Sequence, residues 1–319
     1  CGSDVRLIAS TTMPRSQARP AARARPSLAS TPTPTTTRPA AWRLPSAVSV
    51  TDRVPAWSLA VGSMLSVQLG AALSVDLFPH VGIAGTAWLR LTFGALIFLA
   101  WARPPIRSWS LRELRTPMLL GVVTGLMTIA FLGAIDHLPL GTAVAIEFLG
   151  PLTVAAVRAH SRAALVWPFV ALAGVLLLTE PWAGSVDLVG VAFALVAATG
   201  WGTDILLTQH VGDRFTGVDS LAISIPAAAV TAAFVGVPQA IGGITPAVLA
   251  LALLVAVLMP VIPFALELFA LRRLTASAFG TLMALEPGFG VVVGALILHQ
   301  VPGPLQVVGA VLVVVAGVG

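Results

Sequence analysis

From Pro55 to the last residue the chain is a series of ten apolar runs separated by short polar breaks. They cover roughly 56–75, 82–102, 117–135, 141–157, 163–180, 188–208, 218–238, 246–270, 276–298 and 303–319. About 20 apolar residues, rising ~1.5 Å each, cross the ~30 Å hydrocarbon layer of a bilayer. No water in that layer satisfies a free N–H or C=O, so a continuous apolar span must be a helix. The runs do not alternate polar and apolar residues, as strands of a membrane barrel would. The expected fold class is therefore an all-α polytopic membrane protein with ten transmembrane helices. Composition agrees, with 57% apolar residues, 10% charged residues and a mean hydropathy of +0.95. Soluble domains carry about a quarter charged residues.

The basic residues test the count. All 18 are arginine. Eight lie before the first run. The others outside the runs are Arg103, Arg107, Arg112 and Arg115 after the second run, Arg158 and Arg162 after the fourth, Arg214 after the sixth, and Arg272 and Arg273 after the eighth. The odd-to-even breaks hold none. Only Arg90 lies within a run. By the positive-inside rule both termini are cytoplasmic. The sequence pI of about 11.3 thus reflects topology and not nucleic-acid binding.

Residues 1–53 are a separate segment rich in Arg, Pro, Ser and Thr, with no acid between Asp4 and Asp52. Such a composition buries too little to fold, so a disordered cytoplasmic segment is expected. An organellar transit peptide has a similar composition.

A shift of 136 positions aligns the fourth run with the ninth. Ala134 meets Ala270, Leu138 meets Leu274, Leu149 meets Leu285, and Pro151 meets Pro287. Residues 55–182 and 187–319 are thus expected to be two copies of a five-helix unit. Five is odd, so the second copy enters the membrane from the opposite side, which is the inverted repeat of many secondary transporters.

Ionisable groups at mid-bilayer are costly and usually face a cavity. Apart from Glu180 and Asp219 at run ends, five lie within the runs: Arg90, Glu147, Asp204, Glu267 and Glu286. Glu286 lies about ten residues into its run, or ~15 Å deep, and Glu147 about six, or ~9 Å. Both are candidate site residues. Arg90 either binds a substrate carboxylate or neutralises one of the two glutamates. Asp204 and Glu267 lie near cytoplasmic helix ends, where water is within reach, and Glu267 is close in sequence to Arg272. A proline inside a helix frees a carbonyl one turn back, tolerated in lipid only beside neighbours or a wet cavity. Gly150, Pro151 and Pro287 are therefore expected to break helices at the site, and Pro260 and Pro263 to hinge the eighth run.

Other chemistry is thinly represented. The lone cysteine, Cys1, excludes a disulfide within the chain. The five histidines have no metal-ligand spacing, so neither metal nor cofactor is expected. No phosphate-binding G-x-x-x-x-G-K-[ST] motif occurs. Gly121–Gly125 and Gly290–Gly294 allow close helix contact, within the bundle or in a homodimer.

Ten helices in two halves, with AIEFLGPLTVA in the fourth run, FGTLMALEP in the ninth and WLRLTFGALIF in the second, resemble the EamA family of the drug/metabolite transporter superfamily. Within it the motifs are similar to those of the inner-membrane threonine/homoserine exporter group. The resemblance spans about residues 55–319. It implies a plasma-membrane permease, not an enzyme, exporting small amino acids or related metabolites against inward proton movement. The residues that match its motifs are Arg90, Glu147, Gly150, Pro151, Glu286 and Pro287. On this reading Glu147 meets a substrate ammonium group and Glu286 takes up a proton in exchange. Export of drugs by the same architecture, and a membrane scaffold or intramembrane enzyme, are the alternatives.

Overall fold

Three proline positions decide where the long helices break. Proline has no N–H for the carbonyl four residues back, and its ring crowds that carbonyl. Pro151 removes the partner of Glu147, Pro287 that of Met283 and Pro260 that of Ala256. In the computed structural model, helices end at each of these residues: α4 at Glu147, α11 at Met283 and α9 at Ala256. The structure describes residues 55–103, 109–158, 166–183, 187–212 and 217–318. All lie in one contact unit, Ser49–Gly319. The expected disordered segment 1–53 lies outside the described residues, as do Arg107, Arg162 and Arg214.

Every regular element among the described residues is helical. The chain runs through α1 (Ala56–Ser74), α2 (Phe78–Ala102), α3 (Leu111–His137), α4 (Leu140–Glu147), α5 (Leu149–Arg158), α6 (Val166–Thr179) and α7 (Leu188–Gly212). It continues with α8 (Gly217–Ala240), α9 (Pro246–Ala256), a π turn (Val257–Val261), α10 (Ile262–Leu271), α11 (Ala276–Met283), α12 (Glu286–Ile297) and α13 (Pro304–Val318). Seven helical stretches are long and apolar enough to cross a membrane, and α6 and α13 are shorter apolar helices. Phe169, Phe234 and Leu296 are each more than 70% exposed, a surface suited to lipid. The chain is a multi-pass membrane protein.

The first stretch, Ala56–Ala102, is 47 residues long. As one rod it would reach ~70 Å, far more than a bilayer's thickness. A 3-10 turn at Val75–Leu77 and Gly82, with φ 70° and ψ 173°, divide it. A side chain at position 82 would be strained at that φ and would meet Gln239 Oε1 at 2.7 Å. The same Gln239 oxygen accepts from the Ala84 N–H at 2.9 Å, so the break leaves that donor satisfied. The π turn is secured likewise: Ser66 Oγ on α1 donates to the Leu258 carbonyl at 2.7 Å.

Packing is helix on helix. α2 lies along α8, α3 against α7 and α8, α6 against α13, and α4 against α12. α1 packs on α10, α11 and α12, and α9 on α2. Gly121 and Gly125 face α8, where a methyl on Gly125 would lie 2.7 Å from the Ala228 carbonyl oxygen. This small-residue face is thus occupied within the chain.

Candidate functional site

The helix breaks bring polar ends into the bundle. A cavity of about 220 Å³ lies where α1, α4, α10, α11 and α12 converge, with α3, α7 and the π turn closing it. Glu147, the last residue of α4, and Glu286, the first of α12, both line it. Glu267 of α10 is the third carboxylate on the wall. Ser63 and Gln68 of α1 add neutral polar groups, and Phe131, Trp201 and four methionines supply the rest apart from Val67.

The hydrogen bonds leave capacity unused. Gln68 Nε2 donates to Glu286 Oε1 at 3.4 Å, and Ser63 Oγ donates to Glu267 Oε1 at 2.8 Å. Glu286 Oε2 and Gln68 Oε1 are buried with no partner among the described residues. Both are acceptors, so this part of the wall is built to receive a donor. Three carboxylates face the cavity, and among the described residues no cationic side chain lines it. A bound ammonium or protons would balance that charge.

Arg90 stands behind the wall. It is 2% exposed, and its Nη1 donates to Met259 Sδ at 3.4 Å. Met259 in turn lines the cavity. Among the described residues no carboxylate lies within ion-pairing distance of Arg90, and its Nε has no partner.

The remaining expectations fall in different places. Pro151 and Pro287 do not line the cavity; Pro151 ends α4 at Glu147, and Pro287 ends α11 at Met283, just before Glu286 opens α12. Gly150 faces α7, where any side chain would run into the Ala198 carbonyl oxygen. Its place in the site is structural, a close approach of α5 to α7. The solvated-end reading of Glu267 and Asp204 is corrected. Glu267 turns inward to Ser63, and Arg272 stands over the Phe269 ring, 6.0 Å away. Five residues along a helix is a rotation of about 140°, so those two side chains leave opposite sides. Asp204 Oδ1 accepts from Thr124 Oγ1 at 2.7 Å across the α3–α7 seam. No group of His, Cys, Asp or Glu among the described residues is placed to hold a metal ion.

Sequence reasoning missed Gln68, Ser63 and Met259. A signal existed for the first two: Ser63, Ser66 and Gln68 are the polar residues in the middle of an otherwise apolar span. Counting only ionisable groups passed over them.

Comparison with known proteins agrees with this architecture. The model of the EamA-like transporter family matches residues 188–318. The threonine/homoserine exporter RhtA of Escherichia coli K12 is 37% identical over 277 residues, covering 84% of this chain and 92% of that protein. The protein of the same name from Salmonella typhimurium SL1344 is 36% identical over 279 residues, covering 84% and 93%. Identity at that level over almost the whole of both relatives, added to a bundle of apolar broken helices around a polar cavity, means that the chain belongs to the EamA-like transporter family.

Proposed function

We propose that this protein is a secondary exporter of small amino acids, such as threonine and homoserine, that works by proton antiport. The observation that carries the reading is the small cavity with three carboxylates and two orphaned acceptors, set at the breaks of α4 and of α11–α12. Glu147 anchors the substrate ammonium group. Glu286, with one free oxygen, alternates between that ammonium and a proton, which makes substrate and proton competitors for one site. Arg90 offsets part of the negative charge at rest. The names of the two relatives support the substrate class. At about 220 Å³ the cavity is smaller than the ~300–1,000 Å³ of drug-sized sites, which favours a small metabolite over a drug.

The transport cycle rests on a ten-helix inverted repeat in the inner membrane with both termini cytoplasmic. Dividing Ala56–Ala102 in two and adding α6 and α13 to the other spans brings the number to ten. The two broken helices end at Glu147 and Met283, 136 positions apart, the offset of the sequence repeat. Packing also supports the repeat. The α3–α7 contact has its counterpart in α10–α1, α3–α8 in α9–α2, and α4–α7 in α11–α1 and α12–α1. The pairs α2–α8 and α6–α13 are their own counterparts. Such a twofold relation lets one fold adopt two equivalent states, open to opposite sides.

The test is efflux from cells loaded with labelled threonine or homoserine, with and without the gene. Faster efflux with the gene, accelerated by an inward proton gradient, is expected. Identical efflux for both amino acids in the two strains would refute the reading.

A further inference from the structure

Arg90 is a buried cation whose partners fall short of its donors. A buried guanidinium needs hydrogen-bonded or charged partners. Here one N–H points at a thioether, a weak acceptor, and Nε–H points at none. None of the three carboxylates of the cavity lies within ion-pairing distance of Arg90. We infer that Met259 is a displaceable cover over Arg90, and that this pair makes the cavity selective for substrates bearing a carboxylate. The inference rests on the amino-acid reading above and adds the element that distinguishes an amino acid from a simple amine.

Three features place Met259 for this task. Its sulfur touches Arg90 and the residue also lines the cavity, so Met259 links the two. Its backbone stands outside the helical ladder, with φ −156° and ψ 108°. Pro263, four residues on, has no N–H for its carbonyl, so re-aiming Met259 breaks no helical hydrogen bond at that carbonyl. Methionine is also unbranched and adapts its rotamers readily. An ammonium group at Glu147, Glu286 Oε2 and Gln68 Oε1 leaves the carboxylate of a small amino acid facing a wall that includes Met259. Once the thioether moves aside, the planar fork of Arg90 can accept that carboxylate through two parallel N–H···O bonds. The exchange replaces a weak acceptor with a charged one and offers Nε–H a partner.

A purely structural Met259, filling the space beside Gly70 and Pro260, would affect every substrate alike. The experiment therefore uses the full chain in proteoliposomes and two substrates: threonine, and threoninol, which keeps the amine and hydroxyl but lacks the carboxylate. Met259→Glu gives Arg90 a permanent carboxylate. Loss of a buried charge pair then raises the KM for threonine by about 30-fold or more, while that for threoninol stays within about twofold. Met259→Gln, neutral and close in size, shifts the same ratio in the same direction by less. Equal effects on both substrates, or none on threonine in a monodisperse protein, would overturn the inference. A second readout needs no transport: phenylglyoxal modification of Arg90, followed by mass spectrometry. Arg90 is expected to react slowly in the wild type and several-fold faster in Met259→Ala, with threonine but not threoninol protecting the variant. Equally slow reaction in both proteins would refute the cover. If the wild type moves neither compound, the amino-acid reading fails, and the labelling rates alone decide whether Met259 shields Arg90.

Discussion

Replacing Glu286 by glutamine separates the roles assigned to the cavity wall. The amide keeps the size of the acid and can still meet Gln68, now 3.4 Å from Glu286 Oε1. What it loses is the charge on Oε2, the buried oxygen without a partner. A hydrogen bond to a charged group contributes about 1.5–3 kcal/mol. At ~1.4 kcal/mol per factor of ten, the KM for threonine rises roughly 10- to 150-fold. Glutamine also cannot take up the proton, so an imposed pH gradient no longer accelerates efflux. The assay is initial efflux of labelled threonine from proteoliposomes, with and without a gradient, across a range of loaded concentrations. Unchanged KM together with undiminished gradient dependence, in a variant that elutes as the wild type does, would refute the reasoning. A raised KM with intact gradient dependence would move the proton to Glu147 or Glu267.

Two predictions concern the frame. Asp187 caps α7, accepting from the Gly190 N–H at 3.1 Å and the Val189 N–H at 2.9 Å, and pairs with His137 at 2.8 Å. The Gly190 N–H, then the His137 side chain, hold its carboxyl below the ordinary carboxylate range. The group is depressed in the folded state, so its contribution is present above the unfolded value of about 4 and is lost as pH falls through the lower folded value. Melting temperatures of Asp187→Ala and the wild type in detergent should therefore differ at neutral pH and converge on strong acidification; a constant gap would contradict this. Gly150→Ala drives a methyl into the Ala198 backbone, 2.8 Å from its carbonyl carbon, and overpacking of this kind costs about 1–3 kcal/mol. Gly280→Ala, where nothing lies within 4 Å, is the control and should not destabilise; equal melting of the Gly150 variant and the wild type would refute the close contact.

Much of the frame was legible because its causes are local. Bilayer thickness sets the run lengths, and each proline acts on a carbonyl four residues back, so the ends of α4, α9 and α11 follow from Pro151, Pro260 and Pro287. Glu147 and Glu286 could be singled out by depth alone. The rest of the wall depends on partners far apart in sequence. Gln68 meets Glu286 across 218 positions, and Ser63 meets Glu267 across 204. No local pattern encodes which face of α1 turns toward α10 and α12. Glu267 was misread for the same reason: a nearby arginine in sequence suggested a pair, but helix rotation sends the two apart. Arg90 was found by its charge, yet the methionine that touches it and lines the cavity looks like any other apolar residue in the eighth run.

In the proposed mechanism the cavity at the helix breaks is the transport site. Val67 lines it without a polar role, and the chain's lone cysteine, Cys1, is easily replaced. The most direct measurement is the rate at which a small thiol reagent modifies Val67→Cys in a Cys1→Ser background, with and without saturating threonine. Threonine is expected to slow the modification, and the modified protein is expected to export no longer. Modification indifferent to both threonine and homoserine, with export intact afterwards, would contradict it.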